Sequence, residues 1–328
     1  MISNRLNLGD KPSSTHEVFR LAHLSDPHLI SSSGVRVRDL LNKRVYGYLS
    51  WHLRRHAEHR DEVLAALRED MQAAKPDHVV LTGDLTHLGL PSEFLEAREL
   101  LRSLGPPSKV MVVPGNHDAY VATDWERTFH LWADYMASDA DQDAPKAGKE
   151  DPRNAFPTLR VRGAIALIGV STAYPTPPFL AIGSIGKVQL EKLENILAET
   201  RRRRLVRVVL IHHPPVPGAV RWRNRLTDQE AFRALLARHG AELILHGHTH
   251  RTCIGHLETP WGRVSAIGVP SASALGRTAR RRARYHLFRL MRSAGALEML
   301  FTVRVYSPTE RRFVEEGEQR VPLPLPPG

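Results

Sequence analysis

Aspartate, asparagine and histidine recur in this chain in five tight blocks: Ser25-Asp26-Pro27-His28, Gly83-Asp84, Pro114-Gly115-Asn116-His117-Asp118, His212-His213 and His246-Gly247-His248-Thr249-His250. Carboxylate and imidazole together suit divalent Mn, Fe, Zn or Ni, and the lack of cysteine beside them argues against a structural zinc. Asp26 and His28 lie two apart, so both can reach one ion from a single turn. His248 and His250 can do the same, with Gly247 allowing a tight backbone. An aspartate such as Asp84 can bridge two ions, one per oxygen. Two ions roughly 3.5–4 Å apart form a clamp for phosphoryl chemistry, because they hold a nucleophilic water and neutralise phosphate charge. The choice between His212 and His213 stays open at this level. His246 reads as a strand histidine, His23 and His87 receive no role, and Cys253 reads as a small buried apolar residue.

Such residues must be delivered by elements. Apolar, β-branched runs precede each block: 18–25, 78–82, 109–113, 205–211 and 242–245, with a further run at 164–170. Short runs bounded by Gly, Pro, Asp or His read as buried strands. Helical patterns are predicted between them at 57–74, 92–104, 123–137, 186–203 and 227–239. Strand–helix alternation implies an α/β layered fold, with ligand sites at the carboxyl ends of the strands. Segments 263–269, 284–290 and 296–306 read as consecutive strands of a second, more antiparallel sheet. Residues 138–157 read as an excursion loop. The predicted organisation is a flexible arm at 1–17, one domain over 18–306 with a helical cap insertion at about 35–56, and an extended Pro-rich tail at 307–328.

The ordered set Asp26-x-His28, Gly83-Asp84, Gly115-Asn116-His117-Asp118, His212 and Gly247-His248-x-His250 resembles the calcineurin-like metallophosphoesterase family, across residues 19–251. The resemblance implies two packed mixed β-sheets flanked by helices, an α/β/β/α sandwich, with two divalent metals at one edge. It implies that Asp26, His28, Asp84 and His250 hold one metal, and that Asp84, Asn116, His212 and His248 hold the other. It gives His117 a catalytic place over the scissile phosphate, with Asp118 orienting it. The implied reaction is in-line attack by a hydroxide shared between the metals, with no covalent enzyme intermediate.

The His-His-Pro-Pro block is similar to the bacterial branch of cyclic-nucleotide phosphodiesterases, so the expected substrate is a cyclic nucleotide or a similar small phosphodiester. The ligand set does not encode the leaving group, and insertions must supply specificity. In the insertion at 42–56, Val45, Leu49 and Leu53 fall at helical spacing, Tyr46, Tyr48 and Trp51 widen the apolar side, and Lys43, Arg44, Arg54 and Arg55 bracket it. Such a helix is either a cap packed on the sheet with its basic ends in water, or a lipid-facing surface at an anionic membrane. The second form is similar to the caps of enzymes that cleave UDP-2,3-diacylglucosamine, a nucleotide-linked lipid pyrophosphate.

Composition bounds the rest. With 328 residues, 42% hydrophobic and 25% charged, the chain is globular in character. Its formal charge of +11 favours anionic partners. Nucleic acid ranks lower, because the basic runs 201–204 and 280–284 lack interleaved aromatics for stacking. A non-catalytic scaffold conflicts with the complete ligand set. The single cysteine excludes an intramolecular disulfide, and the N-terminal segment shows no signal-peptide pattern. A cytoplasmic enzyme, or one peripheral to the inner membrane face, is expected.

Overall fold

The computed structural model describes residues 16–30, 35, 37–54, 59–139, 152–276, 278–293, 296–321 and 323, without the side chains of 50–54, 293 and 296. The predicted arm at 1–17 lies mostly outside them, as does 140–151 of the predicted loop.

Two six-stranded sheets carry the fold. The first contains β1 (His16–Leu24), β2 (His78–Leu81), β3 (Val110–Val112), β10 (Arg284–Ser293), β11 (Ala296–Ser307) and β12 (Arg312–Val321), in the order β12-β11-β10-β1-β2-β3. The second contains β4 (Thr158–Arg162), β5 (Ile165–Val170), β6 (Val206–Ile211), β7 (Leu243–His246), β8 (Cys253–Thr259) and β9 (Gly262–Gly268), in the order β4-β5-β6-β7-β9-β8. Each sheet has a parallel centre, β1-β2-β3 in one and β5-β6-β7-β9 in the other, with antiparallel strands outside it.

The parallel strands are buried on both faces, which explains their unbroken apolar runs. Along β5 to β7, Ile165, Leu167, Val208, Leu210, Leu243 and Leu245 join the large core that also takes in the first sheet. Their neighbours Ala166, Ile168, Val209, Ile211 and Ile244 point the other way. There they pack under α5 (Lys187–Arg202) and α6 (Gln229–His239), through Leu193, Leu197, Phe232 and Leu235. The helices α2 (Asp61–Ala74) and α3 (Pro91–Leu104) cover the first sheet with Val63, Leu67, Phe94 and Leu101. The expected sandwich of two mixed sheets flanked by helices is therefore what this sequence forms.

Three boundaries differ from expectation. The helix predicted at 123–137 is two 3-10 turns, Trp125–Arg127 and Phe129–Trp132, followed by the single turn α4 (Ala133–Met136). Thr128 breaks it at φ −133°, ψ −99°, with its hydroxyl donating to the Asp124 carbonyl at 2.6 Å. Burial of Trp125, Phe129 and Trp132 outweighs helical propensity there. The segments 263–269, 284–290 and 296–306 do not make a sheet of their own: β9 extends the second sheet, and β10 and β11 extend the first. The domain also continues past 306, because β12 pairs with β11 and buries Phe313 and Val321. Its sequence, RFVEEGEQRV, hid this, since a charged strand suits a sheet edge.

The cap insertion forms α1 (Arg44–Arg54). Its expected solvated basic end is corrected for Lys43 and Arg44. The Arg44 guanidinium is buried and donates to the carbonyls of Leu88 and Gly89 at 2.8 and 2.6 Å. Lys43 donates to the Thr176 carbonyl at 2.6 Å and sits 4.5 Å over the Tyr120 ring. Tyr46 and Leu49 remain about half exposed, Tyr46 against the ring of Phe179. The side chains of Trp51, Leu53 and Arg54, and all of Arg55 and His56, lie outside the described residues. No described helix is long and apolar enough to cross a membrane.

Candidate metal centre

The five blocks leave the carboxyl ends of β1, β2, β3, β6 and β7 and meet where the two sheets face each other. Their backbone is unusual. Asp26, His28, Asp84, His248 and His250 all have φ between 44° and 67°. A non-glycine residue there is uncommon, and these five all belong to the blocks that meet here. Long-range hydrogen bonds hold these turns. Asp26 N–H and His28 N–H donate to the carbonyls of Gly83 and Asp84 at 2.9 and 3.1 Å. Ser271 and Ser273 hydroxyls donate to the carbonyls of Asp26 and Pro27. Gly247 is required by close approach, since a Cβ there would lie 2.0 Å from Ser25 Oγ and 2.5 Å from Asp26 Oδ2. At Gly115 a Cβ would lie 2.3 Å from Asp84 Oδ1.

The seven predicted ligands converge as two adjoining groups. In one, His250 Nε2 is 3.2 Å and His28 Nε2 is 3.8 Å from Asp26 Oδ1, and His28 Nε2 is 3.9 Å from Asp84 Oδ2. In the other, His212 Nε2 is 3.4 Å from Asp84 Oδ2, 3.1 Å from Asn116 Oδ1 and 3.3 Å from His248 Nδ1. Asp84 Oδ2 thus belongs to both groups. Its Oδ1 is taken by the His117 N–H at 2.7 Å.

The donor set fits cations. Asp26 Oδ1 is buried without a hydrogen-bond partner among the described residues, although three other lone-pair atoms surround it. Converging oxygen and nitrogen lone pairs repel one another unless a cation sits among them. Except at His212, protonation states agree. Burial opposes the charge of Asp84, yet His212, His117 and His28 outweigh it and hold the carboxyl well below its usual range. Burial likewise opposes the charge of Asp26, and His250 and His212 keep its pKa low. Burial, reinforced by neighbouring histidines, pushes His28 well down and His248 to about 3, which leaves neutral imidazoles with lone pairs to offer. His212 differs: burial lowers it, but Asp84 and Asp26 outweigh this and raise it to about 9.

His212 and His213 differ in their partners. His212 Nδ1 donates to the Thr82 carbonyl at 2.6 Å, across the two sheets, which turns Nε2 toward Asp84 and Asn116. A nitrogen of His213 also falls in the second group. However, its Nδ1 meets Thr172 Oγ1 at 2.7 Å and its Nε2 meets the Ala181 carbonyl at 3.1 Å, so both are engaged elsewhere. His246 ends β7, buried, with Nδ1 on the Gly247 carbonyl.

His117 lines the cleft above the two groups, with its ring 4.7 Å from that of His28. The expectation that Asp118 orients this ring is corrected. Asp118 takes the N–H of Thr86, the hydroxyl of Thr86 and the N–H of Gly115, at 2.8, 3.0 and 2.8 Å. It therefore ties the β3 loop to the β2 loop. Burial and then the charge of Asp84 push its pKa up to about 7. The ring of His117 is set by the His87 carbonyl, which accepts from Nδ1 at 2.6 Å, and by stacking on His87 and Tyr120 at 5.5 Å each. Tyr120 and His59, whose ring lies 5.2 Å from His28, were not singled out from the sequence, and His87 was given no role there. A backbone carbonyl and a stacked ring leave no spacing signature.

Known proteins resemble this chain in sequence and in fold. Over 100 residues the chain is 36% identical to the glycerophosphodiester phosphodiesterase GpdQ of Enterobacter lignolyticus, covering 30% of this chain and 29% of that one. Over 236 residues it is 27% identical to a cAMP/cGMP dual specificity phosphodiesterase of Mycobacterium tuberculosis, covering 70% of this chain and 61% of that one. The matched stretches thus span less than two thirds of either relative. A dimetal phosphatase from Danio rerio superposes with a TM-score of 0.55 over 93% of this chain and 99% of its own, at 13% identity, which supports the fold alone. A family model for calcineurin-like phosphoesterase matches residues 19–252, the span that holds all five blocks, and with more than half of its length so matched this chain belongs to the calcineurin-like phosphoesterase family.

Proposed function

We propose that the protein is a binuclear metal-dependent phosphodiesterase acting on a small phosphodiester, of the kind its relatives' names describe, a cyclic nucleotide or a glycerophosphodiester. One observation carries this reading: Asp84 Oδ2 lies between two groups of ligand atoms, 3.9 Å from His28 Nε2 and 3.4 Å from His212 Nε2. Asp26, His28, Asp84 and His250 would hold one ion, and Asp84, Asn116, His212 and His248 the other. Two divalent ions so held would supply Lewis acidity and an activated water.

The chain's own residues do the rest. Asp84 divides its labour, with Oδ1 fixing the His117 backbone and Oδ2 directed at the centre. With His117 Nδ1 committed to the His87 carbonyl, proton transfer to a leaving oxygen runs through Nε2. Asp118 keeps the His117 loop against the Asp84 loop.

The test is metal loading with turnover. Protein stripped by chelator should not hydrolyse cyclic AMP or bis(4-nitrophenyl) phosphate, and Mn²⁺ should restore both as about two ions bind per chain. Asp84→Ala should lose both ions and at least about 10³-fold in kcat. An Asp84→Ala protein that still binds two ions would sink the bridging role, and undiminished turnover by stripped protein would sink the metal-dependent reading.

A further inference from the structure

The ligand groups open into a cleft of about 1510 Å³. Pockets for drug-sized ligands run to roughly 300–1,000 Å³, so a small diester would leave much of this one empty. Its lining is basic. Arg221, Arg251, Arg280 and Arg281 line it from three separate loops, and all four are exposed. None of them has an acidic partner among the described residues.

The two acids that line the cleft are already engaged. Asp84 belongs to the candidate metal centre. Glu316 is held by Arg284, whose Nε and Nη2 donate to its two oxygens at 2.8 and 2.7 Å. Arg284 Nη1 also donates to the Ala279 carbonyl at 2.8 Å. That bond braces the 3-10 turn Ala279–Arg281 that presents Arg280 and Arg281. The basic wall therefore has a charge-balanced support, buried at Arg284 and exposed at Glu316, while Arg251 donates only to the Ala219 carbonyl at 3.4 Å.

Four uncompensated guanidiniums exceed what the scissile phosphate needs, since two divalent ions would already neutralise that group. Guanidinium forks match phosphate oxygens in pairs. We infer that the substrate carries a second phosphate group beyond the scissile diester, and that Arg221, Arg251, Arg280 and Arg281 bind it. This rests on the phosphodiesterase reading above and narrows it. The preferred diester is joined to a further phosphate, as in a short terminally phosphorylated oligonucleotide, rather than a lone cyclic nucleotide.

The test compares Mn²⁺-loaded protein on the dinucleotide ApA and on its 5′- and 3′-phosphorylated forms, with cleavage of the internucleotide bond followed by chromatography. At least one phosphorylated form should exceed ApA by about tenfold or more in kcat/KM. In the Arg280→Ala/Arg281→Ala protein, and separately in Arg221→Ala, that ratio should fall toward one, chiefly through KM. A wild-type ratio near one for both forms would overturn the inference, as would a ratio unchanged in both variants. Wild-type turnover of bis(4-nitrophenyl) phosphate is measured alongside. If that diester is cleaved and the ratio is near one, the second-phosphate site alone fails. If it is not cleaved at all, the phosphodiesterase reading itself fails.

Discussion

At the scale of single residues, the centre depends on backbone conformations that side chains resist. Five of the seven expected ligands sit at positive φ, each at a cost of order 1–3 kcal/mol, and packing of the surrounding loops must over-determine them. His117 is a different kind of residue, outside the two ligand groups that share Asp84 and held by the His87 carbonyl. His117→Ala should therefore keep its metal content and lose roughly 10²–10⁴-fold in kcat, the range for a positioned general acid. The loss should be larger for a poor alkoxide leaving group than for 4-nitrophenolate, which needs little protonation. Equal losses on both substrates would show that His117 contributes charge rather than a proton.

At the scale of elements, the loop between β2 and α3 connects the cap to the catalytic edge. Arg44 from α1 grips its carbonyls at Leu88 and Gly89, and Glu93 at the start of α3 accepts the N–H groups of Leu88 and Leu90 at 2.8 and 3.0 Å. Burial raises the Glu93 pKa to about 7 from an ordinary 4.5, against the opposing pull of those N–H groups and of Arg44. The folded chain thus holds this proton more tightly than the unfolded chain. The stability linked to it is full below about pH 4.5 and is lost as pH rises through about 7. Glu93→Gln stays neutral throughout. The stability of the wild type relative to this variant should fall between pH 4.5 and 8, by up to about 3 kcal/mol. Thermal melting of both proteins across that range checks it, and a constant difference would show that Glu93 is ionised when folded.

At the scale of the whole molecule, the catalytic edge exists because two sheets meet there, and the far edge of the first sheet supports it. β12 pairs with the length of β11 and places Phe313 and Val321 in the main core. Arg304 of β11 and Tyr285 of β10 both reach Asp70 of α2, at 2.5–3.0 Å, which locks helix to sheet. A chain ending at Ser307 would expose β11 as an unpaired edge and uncover those core residues. It should aggregate, or melt well below the full chain, even though every metal-binding block is intact. A monodisperse truncated protein with an unchanged Tm would show that β12 is dispensable.

What the amino-acid sequence determined by itself was local. Metal ligation demands a few residue types at short spacing after a strand, so the five blocks, the parallel strands before them and the layered fold were legible. The helix at Pro91 was legible for the same reason, since proline and Glu93 mark its first turn within three residues. Tertiary structure decided whatever depends on direction and distance. Only the packed sheets turn His212 toward Asp84 and His213 toward Thr172, although the two are adjacent and identical in type. Orientation of His117 by a backbone carbonyl has no residue code, and a charged edge strand reads as a tail until a neighbour pairs with it. The basic wall draws on residues 221, 251 and 280–281, which are far apart in the chain and line one cleft only once it is folded. A short-range pattern records which atoms can ligate, whereas the direction in which they point is set by contacts between distant parts of the chain.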